Sequence, residues 1–185
     1  MKMQLSGRHR GMDVFEAIQQ RRSVRAYEST PVPKEKLNRI LEAAQMAPSA
    51  SNIQPWHFIV VTDSAKRKKL AEGGTYAKFL VECPVVIVGC GDHVASPKWH
   101  VVDVTIALEH MVLTATSEGL GTCWIGSFEE NQVKELLKIP DNFRVVALLA
   151  LGYPSESLDV QRKVIKTVRR RKGLEKIVSY EEYSK

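Results

Sequence analysis

A chain of 185 residues, 44% hydrophobic and 26% charged with 11 Gly and 8 Pro, has the size and composition of one globular domain and excludes collagen-like and disordered classes. Its formal net charge of +6 is unevenly held: residues 1–160 carry 18 Lys and Arg against 18 Asp and Glu, and residues 161–185 carry 9 against 3. The whole excess lies in a tail where Arg162, Lys163, Lys166, Arg169, Arg170, Arg171 and Lys172 repel one another unless an anion is near.

By charge alone the tail reads either as a solvated face or as an anion-binding arm. A nucleic-acid footprint would cover a face and interleave aromatic residues, whereas this body is neutral and the basic run contains no aromatic residue. Neither a nucleic-acid nor a membrane partner is expected, because no window approaches the roughly 18 apolar residues of a span. Cys83, Cys90 and Cys123 sit in apolar runs without CxxC spacing, so a disulfide framework or zinc site is not expected and a cytoplasmic location is. Residues 1–11 have no apolar stretch of the signal-peptide kind and read as an N-terminal extension to a single domain over 12–185.

In chain order, residues 13–20 read as a short helix, with Asp13 at its acidic start and Val14, Phe15 and Ile18 on one face. Leu37, Ile40, Leu41 and Ala44 recur at helical spacing over 34–46, between Pro33 and Pro48. The β-branched runs 56–62 (WHFIVVT) and 84–90 (PVVIVGC) predict buried strands, with a helix over 64–71 between them. Residues 100–118, apolar on nearly every side and followed by Gly119, predict a central helix packed on both faces and capped by that glycine. Strands are expected over 122–126 and 144–151, separated by a helix over 129–137. This order of elements belongs to the mixed α/β or α+β class.

Hydrolase, zinc-protease and nucleotide-loop signatures are absent: there is no GxSxG, HExxH or Walker sequence. His9, His57, His93, His100 and His110 are scattered, so no metal site is expected. Gly89-Cys90-Gly91 lacks a third glycine and a clear following helix, and is read as a tight turn rather than a dinucleotide loop.

Three polar islands remain. Arg21-Arg22-Ser23-Val24-Arg25 places three guanidiniums and a hydroxyl at a helix exit; if extended, residues 21, 23 and 25 share a side and can bind an anion in fork geometry. On its own the pentapeptide reads more readily as an exposed basic turn paired to acids such as Glu28 or Glu42. The loop 47–56 (APSASNIQPW) offers Ser49, Ser51, Asn52 and Gln54 as donors and acceptors, stiffened by Pro48 and Pro55. In 119–126 (GLGTCWIG), a helix cap and a strand account for Gly119 and Gly121 and leave Gly126 without a structural reason.

Taken in order, RRSVRAY, PVPKEKLNRILEAAQMAPSASNIQPWHFIVV, GLGTCWIGSF and RRRKGLEKIVSYEEY resemble the FMN-dependent nitroreductase family, over nearly the whole chain from Met12 onward. The resemblance implies an α+β, nitroreductase-like fold, with a central, mainly antiparallel sheet flanked by helices. It further implies an intertwined homodimer with FMN at the subunit interface and the C-terminal tail reaching the partner. Arg21, Ser23 and Arg25 would hold the FMN phosphate and the polar edge of the ring, with Arg22 nearby. Pro48, Ser49, Asn52 and Gln54 would come from the other subunit, and Ile125 and Gly126 would lie beside the reactive side of the ring. Arg169 and Arg171 match a pair that clamps the phosphate, although Lys172-Gly173 stands where proline is frequent.

The resemblance also implies an activity. NADH or NADPH would give hydride to flavin N5 and leave, to be replaced by a small-molecule acceptor such as a nitroaromatic or quinone in a ping-pong cycle. Flavin N5 carries that chemistry, so no catalytic side chain is expected. At 185 residues there is little room for a long lid, and an open site follows. The alternative is a flavin-binding protein that stores or senses the cofactor without turnover.

Overall fold

The computed structural model describes residues 11–74, 76–155 and 171–184. The expected extension over 1–11 lies outside the described residues except for Gly11, as do Arg169 and the other basic residues from Arg162 to Arg170. The chain opens with helix α1 (Val14–Gln20), where Asp13 and Glu16 form a reciprocal capping box. Helix α2 (Lys34–Gln45) follows Pro33, and Asp63 caps helix α3 (Ser64–Glu72) by accepting from the Lys66 N–H. The remaining helices are α4 (His100–Ser117) and α5 (Glu130–Leu137).

Strands β1 (Trp56–Val61), β2 (Val85–Asp92), β3 (Gly121–Ile125) and β4 (Phe143–Gly152) form one sheet in the order β1-β2-β4-β3, every pair antiparallel. The α+β expectation therefore holds. Alternation along β2 sends Val86, Val88 and Cys90 to one face, under α3 and α5, and Val85 and Ile87 to the other, under α2 and α4. In β4 the partner of β2 skips from Ala147 at Gly89 to Val145 at Cys90, which bypasses Val146. This bulge puts Val145 on the same face as Leu148 and Ala150.

Two expectations are corrected. Gly89-Cys90-Gly91 is not a tight turn: the sequence runs inside β2, and a Cβ on Gly89 would meet Leu108 Cδ1 at 2.8 Å, so the glycine permits close approach of α4. Strand β1 is not fully buried, because it is the sheet edge beyond β2, and only Val61 in it is buried.

Helix α4 buries Val104, Ala107, Leu108, Met111, Val112 and Ala115 against the sheet and α2. The His110 imidazole bonds the Ala43 carbonyl of α2 at 3.1 Å. The helix ends as expected at Gly119, whose φ is 76°. Leu120 N–H returns to the Ala115 carbonyl and Gly119 N–H to that of Thr116, the paired bonds of a Schellman cap. Leu108→Ala is expected to cost about 2–5 kcal/mol and Asp13→Ala about 1 kcal/mol, both read from urea denaturation midpoints.

Candidate functional site

The first polar island is built onto the edge of the sheet. After α1, Ser23 bridges Thr122 of β3 in parallel, with the Val24 N–H donating to the Thr122 carbonyl at 2.8 Å. Farther on, Tyr27 bridges Pro154, and its buried hydroxyl turns back to donate to the Val24 carbonyl at 2.7 Å. Val24, Ala26 and Tyr27 face the core, whereas Ser23 is exposed and Arg21, Arg22 and Arg25 are half-buried. Gly121 makes this possible, since a Cβ there would lie 2.6 Å from Val24 Cγ2. The acidic partner of Arg21 is neither Glu28 nor Glu42 but Glu109 of α4, at 3.5 Å.

Three observations describe the surface along β3. Burial pushes the Cys123 thiol up, partly offset by the Arg25 guanidinium and by the Ser23 hydroxyl bonded to it. Ile125 is buried at the strand's end. The next residue, Gly126, is exposed, and nothing lies within 4 Å of where its Cβ would be. Thr122 and Ile125 are three residues apart, about 10 Å along a strand. The ledge thus runs from a guanidinium and hydroxyl cluster to an open backbone, a donor set suited to a flat ring bearing an anionic arm.

The second island is a loop of unusual backbone. Ser51, Asn52 and Gln54 have φ of 52°, 54° and 53°, a left-handed conformation that costs residues with a Cβ roughly 1–2 kcal/mol each. Internal bonds oppose that cost: the Gln54 N–H donates to Ser49 Oγ at 2.9 Å, and Gln54 Nε2 to Asn52 Oδ1 at 3.1 Å. The Ala50 N–H reaches the buried carboxylate of Asp103 on α4 at 3.2 Å. Pro48 and Ser49 precede the one-turn helix Ala50–Asn52, and Ser51, Asn52 and Gln54 are exposed.

These two islands do not meet within one chain. The loop runs into β1 and the arginine segment lies along β3, the opposite edges of a sheet in which Ile59, Val88, Leu148 and Ile125 share a row. Three interstrand spacings, about 14 Å, separate β1 from β3, and the arginine segment lies one spacing farther out. Arg171 is exposed, on a segment whose Leu174, Ile177, Val178, Tyr180 and Tyr183 are also exposed. Among the described residues there is no group of three metal-ligating side chains and no helix long and apolar enough to cross a membrane.

A family model described as the Nitroreductase family matches residues 18–74 and 72–153. The chain belongs to the nitroreductase family. A nitroreductase family protein of Clostridium novyi NT is 40% identical, with a TM-score of 0.75 over 79% of this chain and 87% of that one. The NADPH:FMN oxidoreductase of Vibrio harveyi, complexed with NAD+, has a TM-score of 0.81 at 27% identity, over 93% of this chain and 78% of that one. A curated Bacillus subtilis FMN reductase (NAD(P)H) is 31% identical over 166 residues, 78% of this chain and 67% of its own.

Glu109 and Asp103 escaped the reading of this family member's sequence. A signal existed for Asp103: Ala107, Met111 and Ala115 make a buried stripe at four-residue spacing, and one step back along it is an acid. The three cysteines are free and buried. Burial raises Cys83 to about 12 and Cys90 to about 11 from the ordinary 9.0. Because these folded-state values are raised, the protonated thiols add stability that is fully present below pH 9.0 and is lost as pH rises through 11 to 12. Denaturation midpoints are therefore expected to fall only above about pH 9, and a thiol reagent at pH 8 should label the protein only once it unfolds.

Proposed function

We propose that this chain is an FMN-dependent NAD(P)H oxidoreductase whose site is shared by two subunits. One subunit contributes Arg21, Arg22, Ser23, Arg25, Ile125 and Gly126, and the other contributes Pro48, Ser49, Asn52 and Gln54. Arg169 and Arg171 of the tail complete the phosphate clamp. The observation that carries the reading is the ledge at β3, where Ser23 bridges Thr122 and the strand leads to an open Gly126.

The family membership and relatives named for FMN reduction with NAD(P)H support the cofactor and the reductant. Bound FMN supplies a hydride-accepting and hydride-donating centre between NAD(P)H and an acceptor such as a nitroaromatic or quinone, in a ping-pong cycle. The chain's own groups bind and bias that centre. Arg21 and Ser23 bind the anionic arm, with Glu109 aiming the Arg21 guanidinium. Arg25 would put positive charge at the polar edge of a bound ring, which would favour electron uptake. The open backbone at Gly126, next to Ile125, would leave one side of a bound ring accessible to small molecules.

Sharing between subunits is supported by the 14 Å or so between the two sheet edges and by apolar surface that one chain leaves uncovered. Val14, Phe15 and Ile18 of α1, expected to share one face, are 70%, 66% and 47% exposed, and Met46 at the end of α2 is 81% exposed. Val14 and Met46 line a cavity of about 380 Å³ between α1, α2 and α4. A second copy related by a two-fold axis covers such a face on both chains at once.

In an anaerobic visible spectrum, the FMN-loaded protein is expected to bleach on addition of NADH or NADPH and to recover its colour with a quinone. Flavin that stays oxidised with both donors would mark a storage or sensing protein instead. Arg21→Ala and Ser23→Ala are each expected to weaken FMN binding by about tenfold or more, with thermal midpoints of the flavin-free protein nearly unchanged. Unaltered FMN affinity would remove the residue from the site.

A further inference from the structure

We propose that Asp103 is a positioning residue for this flavin site, the buried acceptor that fixes where the loop 48–54 stands; the proposal rests on the flavin reading above. Asp103 is 3% exposed, in line with the buried residues Ala107, Met111 and Ala115 of α4. Its Oδ1 accepts the Ala50 N–H. Its Oδ2 is buried and has no hydrogen-bond partner among the described residues.

A carboxylate is a costly filler for an apolar stripe, because a buried oxygen without a donor loses its hydration and gains nothing in return. Leucine would fill the same space at less cost. What leucine cannot do is hold Ala50, and that N–H sits immediately before the left-handed residues Ser51 and Asn52.

The other bonds of the loop act differently. Those from Gln54 to Ser49 and Asn52, and from the Asn52 N–H to the Ser49 carbonyl, are internal and set the loop's shape. Its ends are tied to α2 through Ala47 and to β2 through Pro55, whose carbonyl accepts the Asp92 N–H. Asp103 pins the middle to the most deeply buried helix of the fold. A carboxylate that places the loop also places Ser49, Asn52 and Gln54, and binding groups displaced by as little as about 1 Å lose much of their effect.

The test compares full-length Asp103→Leu with Asp103→Asn, which keeps an oxygen to accept from Ala50. Two readouts are taken: amide hydrogen exchange of the flavin-free protein, and FMN titration. For Asp103→Leu we expect faster exchange in 49–54, unchanged protection over 104–115, and FMN affinity lowered by about tenfold or more. Asp103→Asn should stay close to wild type in both. Unchanged exchange of 49–54 in Asp103→Leu overturns the proposal, as does faster exchange with undiminished FMN affinity, or equal losses in the two variants. A wild-type protein that binds no FMN overturns the flavin reading and this role together, a failure distinct from the others.

Discussion

Helix α4 lies so close to β2 that only a residue without a Cβ fits at position 89, and the placement of both candidate site segments follows from that contact. The helix is fixed by the sheet on one side and by α2, through His110 and Ala43, on the other. It then serves as the common anchor: Glu109 holds Arg21, and Asp103 holds Ala50. These two acids are six residues apart, about 9 Å along the axis. The Schellman turn at its end delivers the chain directly into β3, where Ser23 pairs. Packing energy in the core thus sets the coordinates of polar groups at the surface.

The strand order imposes a second constraint. Because β2 and β4 occupy the middle, the arginine ledge and the Pro48–Gln54 loop are carried on opposite edges of the sheet. A site that needs both would be completed by a second copy, and the apolar face of α1 is exposed surface that such a copy would cover. In the proposed dimer, the cofactor's demands and the subunit's unburied surface would be met by the same association.

Much of this was legible in the sequence because it is written in local patterns. Helical spacing of Leu37, Ile40, Leu41 and Ala44 marked α2, and glycine after an apolar run marked the end of α4. The polar islands were visible as hydroxyls, amides and guanidiniums interrupting apolar segments. What escaped depended on contacts between distant positions. Gly89 and Gly91 look like turn residues until α4 is seen against them, and the Arg21 partner lies 88 positions away at Glu109. The face of α1 is amphipathic enough to suggest burial, yet among the described residues Val14 and Phe15 remain 70% and 66% exposed. Left-handed φ at Ser51, Asn52 and Gln54 could not be read from residues that also adopt ordinary loop conformations.

The most direct test of a site shared across two chains is complementation in mixed dimers. One chain carries Ser23→Ala and its partner Asn52→Ala, with each variant's homodimer as control. If the ledge and the loop meet across the interface, the mixed dimer contains one intact site and one doubly defective site. It should then bind one FMN per dimer with wild-type affinity, while both homodimers bind weakly. Mixed dimers in which every site is as weak as in the homodimers would contradict the account, because each chain would then be supplying both halves of its own site.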